Sequence, residues 1–174
     1  MYDRRPMPKD RKARTITPDE AAALVQPGHW VDYGGALTYP DLFDQALARR
    51  KNELHDVRIR GCVTMKPRAV LECDPTGEHF LWFYWHFSAY DRAKNVDGRC
   101  NYIPMNFGEA PDYYRRFIEP VDVACVKTCP MDEHGWFNVG PTAAYLKAMT
   151  ERARVVIVET SRAVPYAFGE QVAL

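Results

Sequence analysis

Val121-Asp122-Val123-Ala124-Cys125-Val126 decides the fold, together with Val155-Val156-Ile157-Val158, which follows after a helix read over Thr142–Arg152. Both runs are rich in β-branched residues, and the second is aliphatic without interruption. A strand that does not alternate with polar residues needs cover on both faces, which is the pattern of a parallel sheet. Ala144, Leu146, Ala148 and Met149 are spaced for burial along one side of the intervening helix.

The same alternation extends back through the chain. Phe80–Tyr84 and Val57-Arg58-Ile59-Arg60-Gly61-Cys62-Val63 read as strands, Asn101–Pro104 as a short one and Pro111–Ile118 as a short helix. Pro40 opens a helix with Leu42, Phe43, Ala46 and Leu47 on one face, and Trp30-Val31-Asp32-Tyr33 is a strand closed by Gly34-Gly35. Thr17-Pro18-Asp19-Glu20 combines a capping threonine, a proline at the first helical position and a capping-box glutamate. That helix runs through Ala21–Val25 and stops at Pro27-Gly28. Strands alternating with helices over the whole length predict an open, doubly wound, mostly parallel α/β sheet with helices on both faces. Residues 1–16 are read as a flexible N-terminal arm and residues 17–174 as one domain.

Composition narrows the function. With 174 residues, 47% hydrophobic and 26% charged, the chain can bury a core and is not a disordered segment. Lys+Arg and Asp+Glu are both 23, so no long-range field draws nucleic acid or an anionic membrane. The opening MYDRRPMPKDRKAR has no apolar run behind it and is no secretory signal, so a cytoplasmic location is expected. Five cysteines, Cys62, Cys73, Cys100, Cys125 and Cys129, include no CxxC pair and read as reduced core residues, and the five histidines are scattered, so no metal site is expected. There is no GxGxxG, no GxxxxGK[ST] and no GxSxG, which argues against nucleotide binding and α/β-hydrolase chemistry.

In a sheet of this kind ligands collect at the carboxyl ends of the strands. Four places qualify: Gly34–Pro40, the loop after Val63, Thr128–Pro141, and Glu159 onward. Gly34 and Gly35 would let a substrate approach the backbone, although spacing alone is met by an ordinary turn between strand and helix. The Cys129–Thr142 loop is long enough to be functional, but its Asp132, Glu133 and His134 read as exposed turn polars rather than a catalytic pair. Phe80–Ser88 is the densest aromatic run; it reads as core and interface packing, with His86 and Ser88 available to a cleft.

From about Thr17 to Gly169 the chain resembles the amino-terminal domain of class I coenzyme A transferases of the acetyl-CoA hydrolase/transferase group, in the butyryl-CoA:acetate and 4-hydroxybutyrate branch. The resemblance is carried by Trp30–Gly34 with Pro40, Trp85-His86-Phe87-Ser88, Asn101–Glu109 with Pro111, Pro120–Ala124 leading into Pro130–Pro141, and Ala153–Glu159. It implies a fold of two similar halves with the active site between them. A glutamate of the second half attacks the acyl-CoA thioester, giving an acyl-glutamyl anhydride and then a glutamyl-CoA thioester. It also implies that coenzyme A enters as substrate, with no permanently bound cofactor. The first half shapes the acyl pocket through substrate-binding residues at Gly34, Gly35, Ala36, Pro40, His86, Val139, Gly140, Pro141 and Thr142. Gly35 stands where some relatives carry a histidine, and Tyr39 where some carry a glutamate.

The resulting expectation is one half of an acyl-CoA:carboxylate CoA-transferase, with no catalytic residue in this chain and the nucleophilic glutamate on a second-half partner. Two alternatives stay open on the residues: a non-catalytic acyl-CoA-binding scaffold, and a stand-alone thioester hydrolase using His86 or His134.

Overall fold

The computed structural model describes residues 13–119, 121–169 and 171–173. Residues 1–12 of the expected arm lie outside them, while Ile16 already packs on the core. Helix α1 (Pro18–Ala22) has the expected start: Thr17 Oγ1 accepts from Glu20 N, and the Glu20 carboxylate accepts from Thr17 N at 2.7 Å. Strand β1 (Trp30–Tyr33), helix α2 (Asp41–Arg49), strand β2 (Val57–Gly61), helix α3 (Ala69–Cys73), strand β3 (Phe80–Tyr84), helix α4 (Ala89–Val96) and strand β4 (Asn101–Tyr102) follow. Helix α5 (Ala110–Arg116), strand β5 (Val121–Thr128), strand β6 (Trp136–Asn138), helix α6 (Leu146–Arg152), strand β7 (Ala153–Thr160) and strand β8 (Gln171–Ala173) complete the order.

Six strands form one sheet in the order β4-β3-β2-β1-β5-β7, every pair parallel, and β6 and β8 form a small antiparallel ladder beside it. The chain steps outward from β1 through β2, β3 and β4, then returns to the other side of β1 for β5 and β7. The reversal falls between β1 and β5, which makes the carboxyl ends of those strands the topological switch point.

The period-two alternation of side chains sorts the core into two layers. Val31, Tyr33, Ile59, Trp82, Tyr84, Val123 and Cys125 face α1, α2 and α3, with Tyr90 of α4 packed against the same layer. Ala124 and Val126 face Tyr114 of α5 and Leu146, Ala148 and Met149 of α6. Helices therefore cover both faces. On the second face the sheet carries a buried ion pair: Arg60 Nε lies 3.0 Å from each oxygen of Asp32, and Tyr114 Oη donates to Asp32 Oδ2 at 2.7 Å.

Several expected boundaries change. The strand read to Val63 ends at Gly61, because Val63 adopts a left-handed conformation (φ 53°) that cannot continue a ladder. Helix α6 begins at Leu146, not Thr142, because Ala144 is also left-handed (φ 36°), and turns at 140–141 and 144–145 occupy the expected first turn and a half of the helix. The aliphatic strand β7 is an edge strand, paired with β5 alone among the described residues. All five cysteines are free, four of them buried.

Leu146, 1% exposed at the start of α6, is the apolar anchor of the second layer. Leu146→Ala should cost about 2–5 kcal/mol. Trp136, 39% exposed on β6, should lose well under half as much on truncation to alanine. Urea unfolding of the two variants checks the ranking, and equal losses would contradict the packing described.

Candidate active-site cleft

The loops that leave the carboxyl ends of β1, β2 and β3 converge, with the turn before α6, on a cavity of about 230 Å³. Its lining is Gly35 and Ala36 after β1, Cys62 and Val63 after β2, His86 after β3, Phe107 from the turn before α5, and Thr142, Ala144 and Tyr145 before α6. Of the residues expected from the sequence, the structure brings Gly35, Ala36, His86 and Thr142 to this cavity. It does not bring Gly34, Pro40, Val139, Gly140 or Pro141 there. Gly34 and Pro40 are buried on either side of the Ala36–Thr38 turn, Val139 is buried in the second core layer, and Pro141 is exposed. Gly140 takes φ 66° beside Val164, and a Cβ there would come within 2.9 Å of Pro165 O, so it closes the turn rather than lining the cavity.

Backbone strain gathers at the same place. Among the described residues four non-glycines have positive φ, and three of them, Ala36, Val63 and Ala144, line the cavity. Such conformations cost about 1–2 kcal/mol each and persist only where neighbours hold them. Ala36 N donates to Cys62 O at 3.2 Å, Val63 N to His86 O at 2.8 Å, and Thr64 N to Asp91 Oδ2 at 3.0 Å. Asp91 is itself fixed by a capping box with Ser88 at the start of α4. Ala36→Gly and Ala144→Gly should each therefore stabilise the fold by roughly 0.5–1 kcal/mol, about 2 °C in melting temperature. A fall in melting temperature would mean the strain is not there.

The floor is held from below. Tyr145 Oη donates to Tyr33 O at 3.0 Å; its ring stacks on Tyr114 (centroids 5.4 Å apart, 8° between planes) and meets the edge of Trp85 at 5.2 Å. The buried Asp32–Arg60 pair thus reaches the cavity through Tyr114 and Tyr145. Burial, and then the Asp91 carboxylate, push the Cys62 thiol up to about 12, so it is a neutral wall group and not a thiolate nucleophile at neutral pH. Burial likewise raises the Tyr145 phenol well above its usual range.

His86 is the polar exception. Its ring lies 5.2 Å from that of Phe107, and its Nδ1 is buried with no hydrogen-bond partner. None of the nine lining residues is a carboxylate or a permanent cation. Glu159, at the carboxyl end of β7, is committed elsewhere: it accepts from Asp41 N at 3.0 Å, Leu42 N at 2.8 Å and Phe43 N at 3.1 Å, capping α2, with Lys127 Nζ 3.4 Å away. Asp132, Glu133 and His134 are exposed, and Asp132 Oδ1 closes their turn by accepting from His134 N and Trp136 N. Among the described residues, no helix is long and apolar enough to cross a membrane, and no group of His, Cys, Asp or Glu is placed to hold a metal ion.

An open, doubly wound α/β domain with an apolar cleft at its switch point is the class that fold and site define. The chain belongs to the acetyl-CoA hydrolase/transferase N-terminal domain family, whose pattern it matches over residues 1–172. It is 42% identical over 153 residues to butyryl-CoA:acetate CoA-transferase of Anaerostipes caccae, covering 88% of this chain and 34% of that protein. The crystal structure of RipA from Yersinia pestis superimposes with a TM-score of 0.80 at 27% identity, covering 91% of this chain and 39% of that one. 4-Hydroxybutyrate CoA-transferase of Porphyromonas gingivalis superimposes with a TM-score of 0.61 at 26% identity, covering 90% of this chain and 35% of that one. The chain spans about a third of the length of the curated relatives it matches.

Proposed function

We propose that the chain is one half of an acyl-CoA:carboxylate CoA-transferase and forms the acyl wall of its active site, while a second half supplies the attacking glutamate. The observation that carries this reading is the composition of the cleft. Gly35, Ala36, Cys62, Val63, Phe107 and Ala144 suit an aliphatic acyl group, and no carboxylate is present among the lining residues to attack a thioester. Covalent CoA transfer requires a carboxylate nucleophile, so it must enter from outside these loops. His86 lines the wall with its ring, and its Nδ1, buried and without a hydrogen-bond partner, would meet a carbonyl or carboxylate oxygen of the substrate only on a turn of the imidazole. Coenzyme A is then a substrate, and the cytoplasm its compartment.

Purification of the chain from its source, with mass spectrometry of what accompanies it, tests the arrangement. A companion of the second-half type is expected. Incubation of the complex with acyl-CoA and borohydride should reduce a glutamyl-CoA thioester in the companion and leave every carboxylate of this chain unmodified. A lone chain that hydrolyses thioesters, and loses that activity on His86→Ala, would replace this reading with the stand-alone hydrolase. Saturable CoA binding without turnover in any complex would replace it with the scaffold.

A further inference from the structure

The two long strands at one side of the sheet carry similar sequences but sit in different surroundings. In β5, flanked on both sides, Val123, Ala124 and Val126 are completely buried; in β7, their register partners Val155, Val156 and Val158 are only half-buried. The hydrogen-bond parity shows what is missing. Ser161 N donates to Thr128 O at 2.8 Å, and Thr160 is the register partner of Thr128. In a parallel ladder the N–H and C=O of one residue point to the same side, and the side alternates along the strand. Residues 153, 155, 157 and 159 therefore address β5. Arg154, Val156, Val158 and Thr160 direct theirs to the opposite edge, where no strand of the described residues pairs.

Natural edge strands are usually short, charged, bulged or broken by proline. Strand β7 has eight residues, no proline and four successive aliphatics, and its Glu159 is turned onto α2 rather than guarding the edge. It has the build of an interior strand. We propose that the open edge of β7 is completed by an aliphatic strand from the second half of the enzyme, which rests on the functional reading above. The curated relatives are about two and a half times as long as this chain, so the second half has ample length to provide it. Strand addition would extend the main-chain ladder and cover the exposed parts of Val155 on one face and of Val156 and Val158 on the other. It would also fix the second half on the side of the sheet where the β5–α6 connection, with Thr142, Ala144 and Tyr145, lines the cleft.

Hydrogen–deuterium exchange resolved to single amides, comparing the chain alone with its complex, tests this without altering a residue. The amides of Val156 and Val158 are expected to exchange at least about ten-fold more slowly in the complex, with little change at Val155 and Ile157, which are already bonded. Val156→Pro removes an N–H that has no partner among the described residues, so it should leave the melting temperature of the chain nearly unchanged and weaken the companion's affinity by roughly ten-fold or more. A complex that forms and transfers CoA while Val156 and Val158 exchange as in the free chain would overturn the inference and leave the functional reading intact. Absence of any companion would overturn both. Self-association of the lone chain abolished by Val156→Pro, with the companion's affinity untouched, would assign the edge to a second copy instead.

Discussion

Arg60→Leu is expected to destabilise the domain by about 3–5 kcal/mol, because it leaves the Asp32 carboxylate buried without its partner. Asp32 and Arg60 are 0% and 2% exposed on adjacent strands, and the guanidinium also lies 4.4 Å above the Trp30 ring and donates to Glu119 O at 3.2 Å. Burial already holds the Asp32 carboxyl above the usual carboxylate range, although Arg60 and Tyr114 both pull it down. A carboxyl whose folded pKa lies above its unfolded value favours the fold most below the unfolded pKa, and that contribution is lost as pH rises through the folded one. Removing Arg60 raises the folded pKa further. The variant should therefore lose stability with rising pH over a wider interval than the parent.

The double variant Asp32→Asn, Arg60→Leu separates charge from packing. The asparagine oxygen can still accept from Tyr114 Oη, and no charge is left buried, so most of the loss should be recovered. Urea unfolding of the two single variants and the double variant from pH 5 to 8 gives the answer. A double variant no more stable than Arg60→Leu would show that shape, not charge, was lost. The test also bears on the cleft, since Tyr114 transmits this pair to Tyr145 in the cavity floor.

Parallel strands announce themselves by composition, which is why Trp30–Tyr33 and Phe80–Tyr84 are legible to the residue and the β5 and β7 runs differ only at their ends. Helix α3 has five residues, and its first amide is held by a tertiary contact, Asp44 Oδ2 accepting from Ala69 N at 2.7 Å, so its own segment carries little signal. Helix α4 was readable: Ser88 and Asp91 form a capping box, obscured by the aromatic run before it. The site follows the same division. The rule that ligands collect at strand carboxyl ends leads to Gly35, Ala36, His86 and Thr142. It does not lead to Val63 or Ala144 individually: Val63 is held left-handed by a bond from its N–H to His86 O in another loop, and neither valine nor alanine has a local preference for that conformation. Phe107 and Tyr145 reach the cavity only through packing of distant segments. Gly140 lies in the turn before α6 but packs beside Val164 instead of lining the cavity.

The adjacent glycines of the first loop should respond in opposite ways, Gly34 through stability and Gly35 through activity. A Cβ on Gly34 would stand 2.5 Å from Thr38 O and 2.5 Å from Thr38 Oγ1, and that hydroxyl is itself bonded to Gly35 O at 2.7 Å. The obstacle is backbone, so Gly34→Val must break the turn, and a cost above about 3 kcal/mol is expected. A Cβ on Gly35 would lie 3.2 Å from Cys62 O and 3.3 Å from Tyr145 Oη, tight but open to adjustment by a few tenths of an ångström. It would also point at the cleft, where Cys62 and Tyr145 are both lining residues. Gly35→Val should therefore fold, with a loss of about 1–2 kcal/mol, while kcat/KM of the assembled enzyme for acyl-CoA falls roughly a hundred-fold as the acyl group is displaced. Thermal melts of both chains, set beside turnover of the reconstituted complexes, decide it. Comparable stability losses with comparable turnover would mean that the loop is only a turn and that the acyl group lies elsewhere.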